Sequence, residues 1–185
     1  MNVFDFDNTL YHGESAVDFA FFMMRKNQKI ILWIPTILWN LLNYKLCLVT
    51  REEMERIINK FLKVLIQDEE NLRCQVRLFW EDHDKKLDQE MLKLVSVEDV
   101  ILTAGPDFLL NEISNQLGTS HIQSSKVDLR KKNIIYLNFG SNKVKRFYEN
   151  YENAVIEKFY TDSYNDKALM EISESVFLVK KEKRK

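Results

Sequence analysis

Two hydrophobic periodicities share this chain, and their order along it constrains the fold more than any other feature. The opening run NVFDF is short and apolar, with aromatics and a β-branched residue, the pattern of a buried strand. From about residue 14 to residue 93 the spacing is helical instead. ESAVDFAFFMMRK begins one helix, with Ser15 and Asp18 spaced as in a capping box. Thr50 and Glu53 repeat that spacing before a helix in which Met54, Ile57, Ile58, Phe61, Leu62 and Leu65 share a face. NLRCQVRLFWEDHDKKLDQEMLKLV predicts a further helix. Beyond residue 93 strands and helices alternate. VEDVILTAG reads as strand and turn, and PDFLLNEISNQL as a helix with Pro106 near its first position. SHIQSSKVDL and NIIYLNFG read as strands, SNKVKRFYENYEN as a helix, VIEKFYTDS as a strand, DKALMEISES as a helix and VFLVK as a final strand. Such alternation builds an α/β sheet that is at least partly parallel. The expected layout is one α/β core, residues 1–13 and 94–185, interrupted by an all-helical insertion, residues 14–93.

The 185 residues suffice for such a core plus a small inserted module. A net charge of -1 argues against a strongly basic surface, so no nucleic-acid partner is expected. Cys47 and Cys74 are far apart, with no metal-ligand spacing, and read as reduced, buried thiols. No basic-then-apolar leader precedes the first strand, which suggests a cytoplasmic protein. The stretch KIILWIPTILWNLLNYKLCLV, residues 29–49, is nearly long enough to span a bilayer, but Pro35, Asn40, Asn43 and Lys45 interrupt it. A buried or half-buried helical pair is the expectation. The alternative is a surface that touches a membrane or a greasy substrate. The terminal KKEKRK reads as a solvated tail.

The chemistry collects at the ends of the predicted strands. Residues two apart in an extended segment point the same way, so Asp5 and Asp7 can face one site at the carboxyl end of the first strand. Open α/β sheets bind ligands at that end. TDSYND places Asp162 and Asp166 at a second strand end. Singly, each acid is explained by turn or capping chemistry. Together, four acids repel unless a cation joins them, and oxygen ligands suit a hard divalent ion such as magnesium. LTAGPDF puts Thr103 at a third strand end, beside backbone N–H groups that can hold phosphate oxygens. Lys143, at the start of a helix, could reach the same anion; Lys145 and Arg146 are rivals for that role. His12, His83 and His121 receive no chemistry.

DFDNT, LTAGP, Lys143 and TDSYND together, in this order, resemble the four motifs of the haloacid dehalogenase superfamily of phosphohydrolases. The helical insertion resembles the cap of the subfamily that includes phosphoserine phosphatase. The resemblance implies a Rossmann-like core and a phosphomonoesterase. Asp5 would be the nucleophile that forms an aspartyl-phosphate, and Asp7 the general acid and then base. Magnesium would be held by Asp5, the backbone carbonyl of Asp7 and Asp162, with Asp166 in support. Thr103, Ala104, Gly105 and Lys143 would bind the phosphoryl group. The family's usual glycine in the last motif is Ser163 here. The greasy cap segment resembles the bacterial phosphatidylglycerophosphatase C branch. That implies, as an alternative to a small soluble phosphomonoester, a lipid phosphate hydrolysed at the inner face of a membrane, with peripheral contact through residues 30–49. A non-catalytic phosphate binder of the same fold is a third reading.

Overall fold

The computed structural model describes residues 1–45 and 50–179. A six-stranded sheet has the order β4-β3-β2-β1-β5-β6. Its strands are β1 (Asn2–Asp5), β2 (Val100–Pro106), β3 (Ile122–Asp128), β4 (Asn133–Tyr136), β5 (Ile156–Thr161) and β6 (Ser173–Leu178). All neighbours run parallel except β3 and β4. β1 lies in the middle, with Val3 in register with both Val100 and Phe159. The chain builds outward from β1 on one side through β2 and β3, then crosses to the other side for β5 and β6. The order in which strands are added therefore reverses beside β1, and a sheet of this kind binds ligands outside the strand ends at such a point.

Both faces of the sheet are covered, as a parallel sheet requires. Side chains alternate along β1, so Phe4 joins the large cluster under the inserted helices, while Val3 packs with Leu102, Phe147, Ile156 and Leu169 on the other face. Phe4 also stacks on Tyr160, with ring centroids 4.5 Å apart. The second face is capped by α7 (Ser141–Asn150) and the short α8 (Lys167–Met170).

Between β1 and β2 every regular element is helical: α1 (Ser15–Met24), α2 (Ile34–Lys45), α3 (Arg51–Leu65), α4 (Glu69–His83) and α5 (Gln89–Leu92). The Thr50–Glu53 capping box forms as expected, with Thr50 Oγ1 accepting from the Glu53 N–H at 3.2 Å. The proposed Ser15–Asp18 box does not. Glu14 is the N-cap of α1 without a side-chain hydrogen bond, and Asp18 instead accepts from Tyr11 Oη at 2.7 Å and Lys86 Nζ at 2.8 Å. The two chain crossings between sheet and insertion are bridged, with the His12 N–H donating to the Lys86 carbonyl and the Asp88 N–H to the Leu10 carbonyl.

Several boundaries differ from the sequence reading. The long helix expected through residue 95 ends at His83, because Asp88 starts α5 by accepting from the Glu90 and Met91 N–H groups. The helix after Pro106 is only α6 (Asp107–Asn111). The segment expected as helix through Ser175 turns to strand at Ser173, because pairing with β5 and the stacking of Phe177 on Tyr160 outweigh helix propensity. Cys74 is free and exposed rather than buried, since it lies off the Leu72–Val76–Phe79 face of α4; Cys47 lies outside the described residues. Of the apolar stretch 29–49, the described residues to Lys45 form a short 3-10 helix (Gln28–Leu32) and α2, a pair that is half-buried at most; residues 46–49 lie outside the described residues. Ile30 is buried, but Leu32 is 78% and Trp39 65% exposed. Among the described residues no helix is long and apolar enough to cross a membrane.

Candidate active site

Asp5 ends β1 and points, like Val3 two residues before it, to the face covered by α7. On α7, Lys143 and Phe147 are one turn apart and both buried. Phe147 fills the core beside Val3, and Lys143 is thereby set at the strand end. Its Nζ donates to Asp5 Oδ1 at 2.9 Å and to Asp166 Oδ2 at 2.9 Å. All three groups are buried: Lys143 is 4%, Asp5 8% and Asp166 7% exposed. A cation thus joins two acids 161 positions apart in the chain, the difference between 166 and 5. The turn that starts α7 depends on Gly140, which has φ of +57° and accepts from the Lys143 N–H at 3.0 Å. Lys145 and Arg146, the rivals, turn away to Glu149, and Arg146 lies over the Tyr136 ring.

Asp7 follows in the loop after β1, where Asn8 takes a left-handed conformation that asparagine tolerates. Asp7 Oδ1 accepts from the Ser15 N–H at 2.6 Å, so this carboxylate serves the free N–H at the start of α1. In the sequence Ser15 carries only a capping role with Asp18, and no spacing rule pairs residues eight apart across a loop. Its Oγ is buried, as is that of Thr9.

Thr103 is fully buried just beyond Leu102, the residue in register with Asp5. Its Oγ1 accepts from the Gly105 N–H at 2.9 Å. This irregular end of β2, the Thr103–Gly105 loop, where its register with β3 shifts between Leu102 and Pro106, is pinned from behind. Asn138 Nδ2 donates to the Thr103 carbonyl at 3.0 Å, and Ser125 Oγ donates to the Ala104 carbonyl at 2.8 Å. The Asn138 N–H in turn donates to Ser125 Oγ. Asn138 was also missed; its one signal is a polar residue within the apolar run NIIYLNFG. Gly105 is closely packed: an added Cβ would lie 3.2 Å from Thr103 Oγ1, so that hydroxyl would have to shift by a few tenths of an ångström. Asp162 is half-buried directly after β5. The three histidines are structural: His83 stacks on Phe79, His121 meets Tyr151 Oη, and His12 lies 3.5 Å from Asp88.

The electrostatics follow from crowding charge under little water. Burial, with Asp166 and Asp7 nearby, pushes the Asp5 carboxyl up to about 7 against the opposing pull of Lys143. Burial pushes Asp7 up to about 6, although the Ser15 N–H draws it down. Burial disfavours the Lys143 ammonium, but Asp5 and Asp166 outweigh it and hold the group above the usual lysine range. For a divalent ion the donor set is oxygen-only, which fits a hard cation. Asp5 and Asp166 already converge on one positive charge. Among the described residues, no group of three or more acidic, histidine or cysteine side chains is preassembled around a single point.

A mostly parallel α/β sheet with acids and a lysine gathered at its switch point defines a class, that of α/β proteins with a ligand site at the strand ends. More narrowly, the chain belongs to the haloacid dehalogenase-like hydrolases, whose family profile matches residues 3–171. No curated protein matches it. Several solved structures share its fold. A protein of unknown function from Bordetella pertussis Tohama I has 19% identity and a TM-score of 0.75, over 95% of this chain and 87% of that one. A phosphoserine phosphohydrolase-like protein from Francisella tularensis has 14% identity and a TM-score of 0.61, over 96% and 95%. A phospho-aspartyl intermediate analogue of phosphoserine phosphatase has 15% identity and a TM-score of 0.54, over 96% and 92%.

Proposed function

We propose that the protein is a magnesium-dependent phosphatase that hydrolyses a phosphomonoester through an aspartyl-phosphate on Asp5. One observation carries this reading: Lys143 joins Asp5 and Asp166 in a buried cluster at the sheet's switch point. A carboxylate is a poor nucleophile toward a phosphate dianion because both are negative, and a fixed ammonium beside it offsets that repulsion. The Asp5 oxygen attacks phosphorus, and the bond to the ester oxygen breaks as Asp7 gives that oxygen its proton. Asp7 then takes a proton from water, whose oxygen attacks the same phosphorus and displaces the Asp5 carboxylate, releasing phosphate. A group pushed up to about 6 exchanges protons readily near neutral pH, which suits both halves. The Thr103–Gly105 loop and Lys143 hold the phosphoryl oxygens. Asp5, the Asp7 carbonyl, Asp162 and Asp166 would hold the magnesium ion, which when bound neutralises phosphoryl charge. A solved protein of this fold represents the phospho-aspartyl state of phosphoserine phosphatase, which supports the same covalent step here.

The helices of residues 14–93 act in this reading as a cap over the core of residues 1–13 and 94–185, tethered at the bridged crossings. Replacing Asp5 with Asn is expected to cut turnover of phenyl phosphate at least about a thousandfold while the circular dichroism spectrum is unchanged. Undiminished turnover would remove Asp5 from the reaction.

A second reading, a lipid phosphate phosphatase on the cytoplasmic face of a membrane, is favoured by the outer surface of the cap. Trp39 and Leu42, three apart on α2, form an exposed apolar stripe, Leu32 before it is exposed as well, and Arg25, Lys26 and Lys29, a few residues earlier in the sequence, are exposed. A free, exposed Cys74 suits a reducing compartment.

A further inference from the structure

Beneath the inserted helices lies an apolar cavity of about 170 Å³. Ala104 and Pro106 line it on either side of Gly105, so its wall includes the loop that in our reading holds phosphate. Ala16 and Val17 line it as well, directly after Ser15, the residue whose N–H binds Asp7. Phe61 and Leu62 of α3 close it from the cap. The polar end is equally defined. Ser15 Oγ is buried beside Asp7 and lies 3.7 Å from where a Gly105 Cβ would stand. A ligand with its phosphate among Lys143, the Thr103–Gly105 loop and Ser15 would meet Asp7 at its ester oxygen. The group on that oxygen then has the hydrocarbon wall next to it, through Ala104 beside Thr103 and Ala16 beside Ser15.

We propose that this cavity receives the leaving group, and that the substrate is an amphiphile whose phosphate ester is joined to a hydrocarbon group. The proposal rests on the phosphatase reading and adds the substrate class to it. A polar leaving group such as an amino acid or sugar would strip its hydroxyl, amino or carboxylate groups of water against a wall with few partners to offer. A hydrocarbon gains from the same wall. An apolar cavity of about 150 Å³ stays dry and admits a benzene, so this one accommodates the part of a chain or ring nearest the ester oxygen.

The test titrates the full-length protein, with magnesium present, against non-hydrolysable n-alkylphosphonates from methyl to octyl. Affinity is expected to tighten about fourfold for each added methylene until the cavity is full, with an increasingly negative heat-capacity change. A flat series overturns the proposal, whatever the protein's turnover. Phe61→Ala enlarges the space, and the length at which affinity levels off is expected to move to longer chains. Ile58→Ala, at another lining position, serves if that variant does not fold. A plateau unmoved in the folded variants overturns the assignment. Phosphate release from the matching alkyl phosphates separates the two levels of the argument. Chain-dependent binding without turnover overturns the hydrolytic reading and leaves the pocket standing. Faster turnover of phosphoserine or glycerol phosphate than of octyl phosphate overturns the pocket. Comparing monomeric octyl phosphate with phosphatidate in vesicles identifies the source of the chain, and a chain-length advantage in either arm supports the proposal.

Discussion

Lys143 shows how much one side chain can carry. Its ammonium is the shared hydrogen-bond donor between two buried carboxylates, so removing it leaves like charges facing each other without compensation. Lys143→Met is expected to lower stability by about 3–5 kcal/mol, read from urea unfolding in chelator. A loss below about 1 kcal/mol would mean that the acids are better solvated than the structure places them. The sequence located this lysine but left Lys145 and Arg146 as rivals. The choice was partly legible: Val144, Phe147 and Tyr151 mark the inward face of α7, and Lys143 lies one turn before Phe147. Asp7 was legible as an acid at the strand end. Its bond to the Ser15 N–H was not, because the loop between them is fixed by hydrogen bonds such as the Asn8 N–H to the Gly13 carbonyl, which no periodicity reports.

At the scale of elements, β1 is held at its start as well as its end. Asp99 accepts from the Asn2 N–H at 2.8 Å and the Ser96 N–H at 2.9 Å, tying the entries of β1 and β2 together. Burial alone would raise the Asp99 carboxyl, but these donors hold it below the usual carboxylate range. A depressed group adds stability that is fully present above its unfolded value, about 3.9, and is lost as pH falls through its folded value. Asp99→Asn is therefore expected to cost about 1–3 kcal/mol at pH 7, with the difference from wild type shrinking below about pH 4. Thermal unfolding across that range checks both parts, and a difference independent of pH would show that the carboxylate charge is not what binds β1. Elements with strong patterns, such as α3 and its capping box, were legible. β6 was legible only in its second half, as the final strand VFLVK; its start at Ser173 was not, because pairing with β5, far away in sequence, imposes strand there.

At the scale of the whole molecule, the order of elements in the sequence already implied a core with a helical insertion, and the sheet and the family profile agree with the Rossmann-like α/β core of a haloacid dehalogenase-like hydrolase. What the linear pattern concealed is which side of the insertion faces outward. The inserted helices contribute apolar side chains to the cavity and leave others, Leu32, Trp39 and Leu42, exposed. If the outer stripe meets a bilayer, the protein is expected to co-sediment with vesicles rich in anionic lipid, with binding weakened by salt through Arg25, Lys26 and Lys29. Replacing Leu32, Trp39 and Leu42 together with Ser should reduce that binding at least about tenfold. Equal sedimentation of both proteins would assign the stripe no part in it.

The central place of β1 has a consequence for assembly in time. Its partners on either side begin at Val100 and Ile156, so this strand cannot be sandwiched until more than a hundred later residues have been made. During synthesis its apolar faces must wait, and early closure onto a neighbouring helix is a wrong turn open to it. Hydrolytic competence therefore arises at one stroke near the end of folding, when the strand meets its second flank.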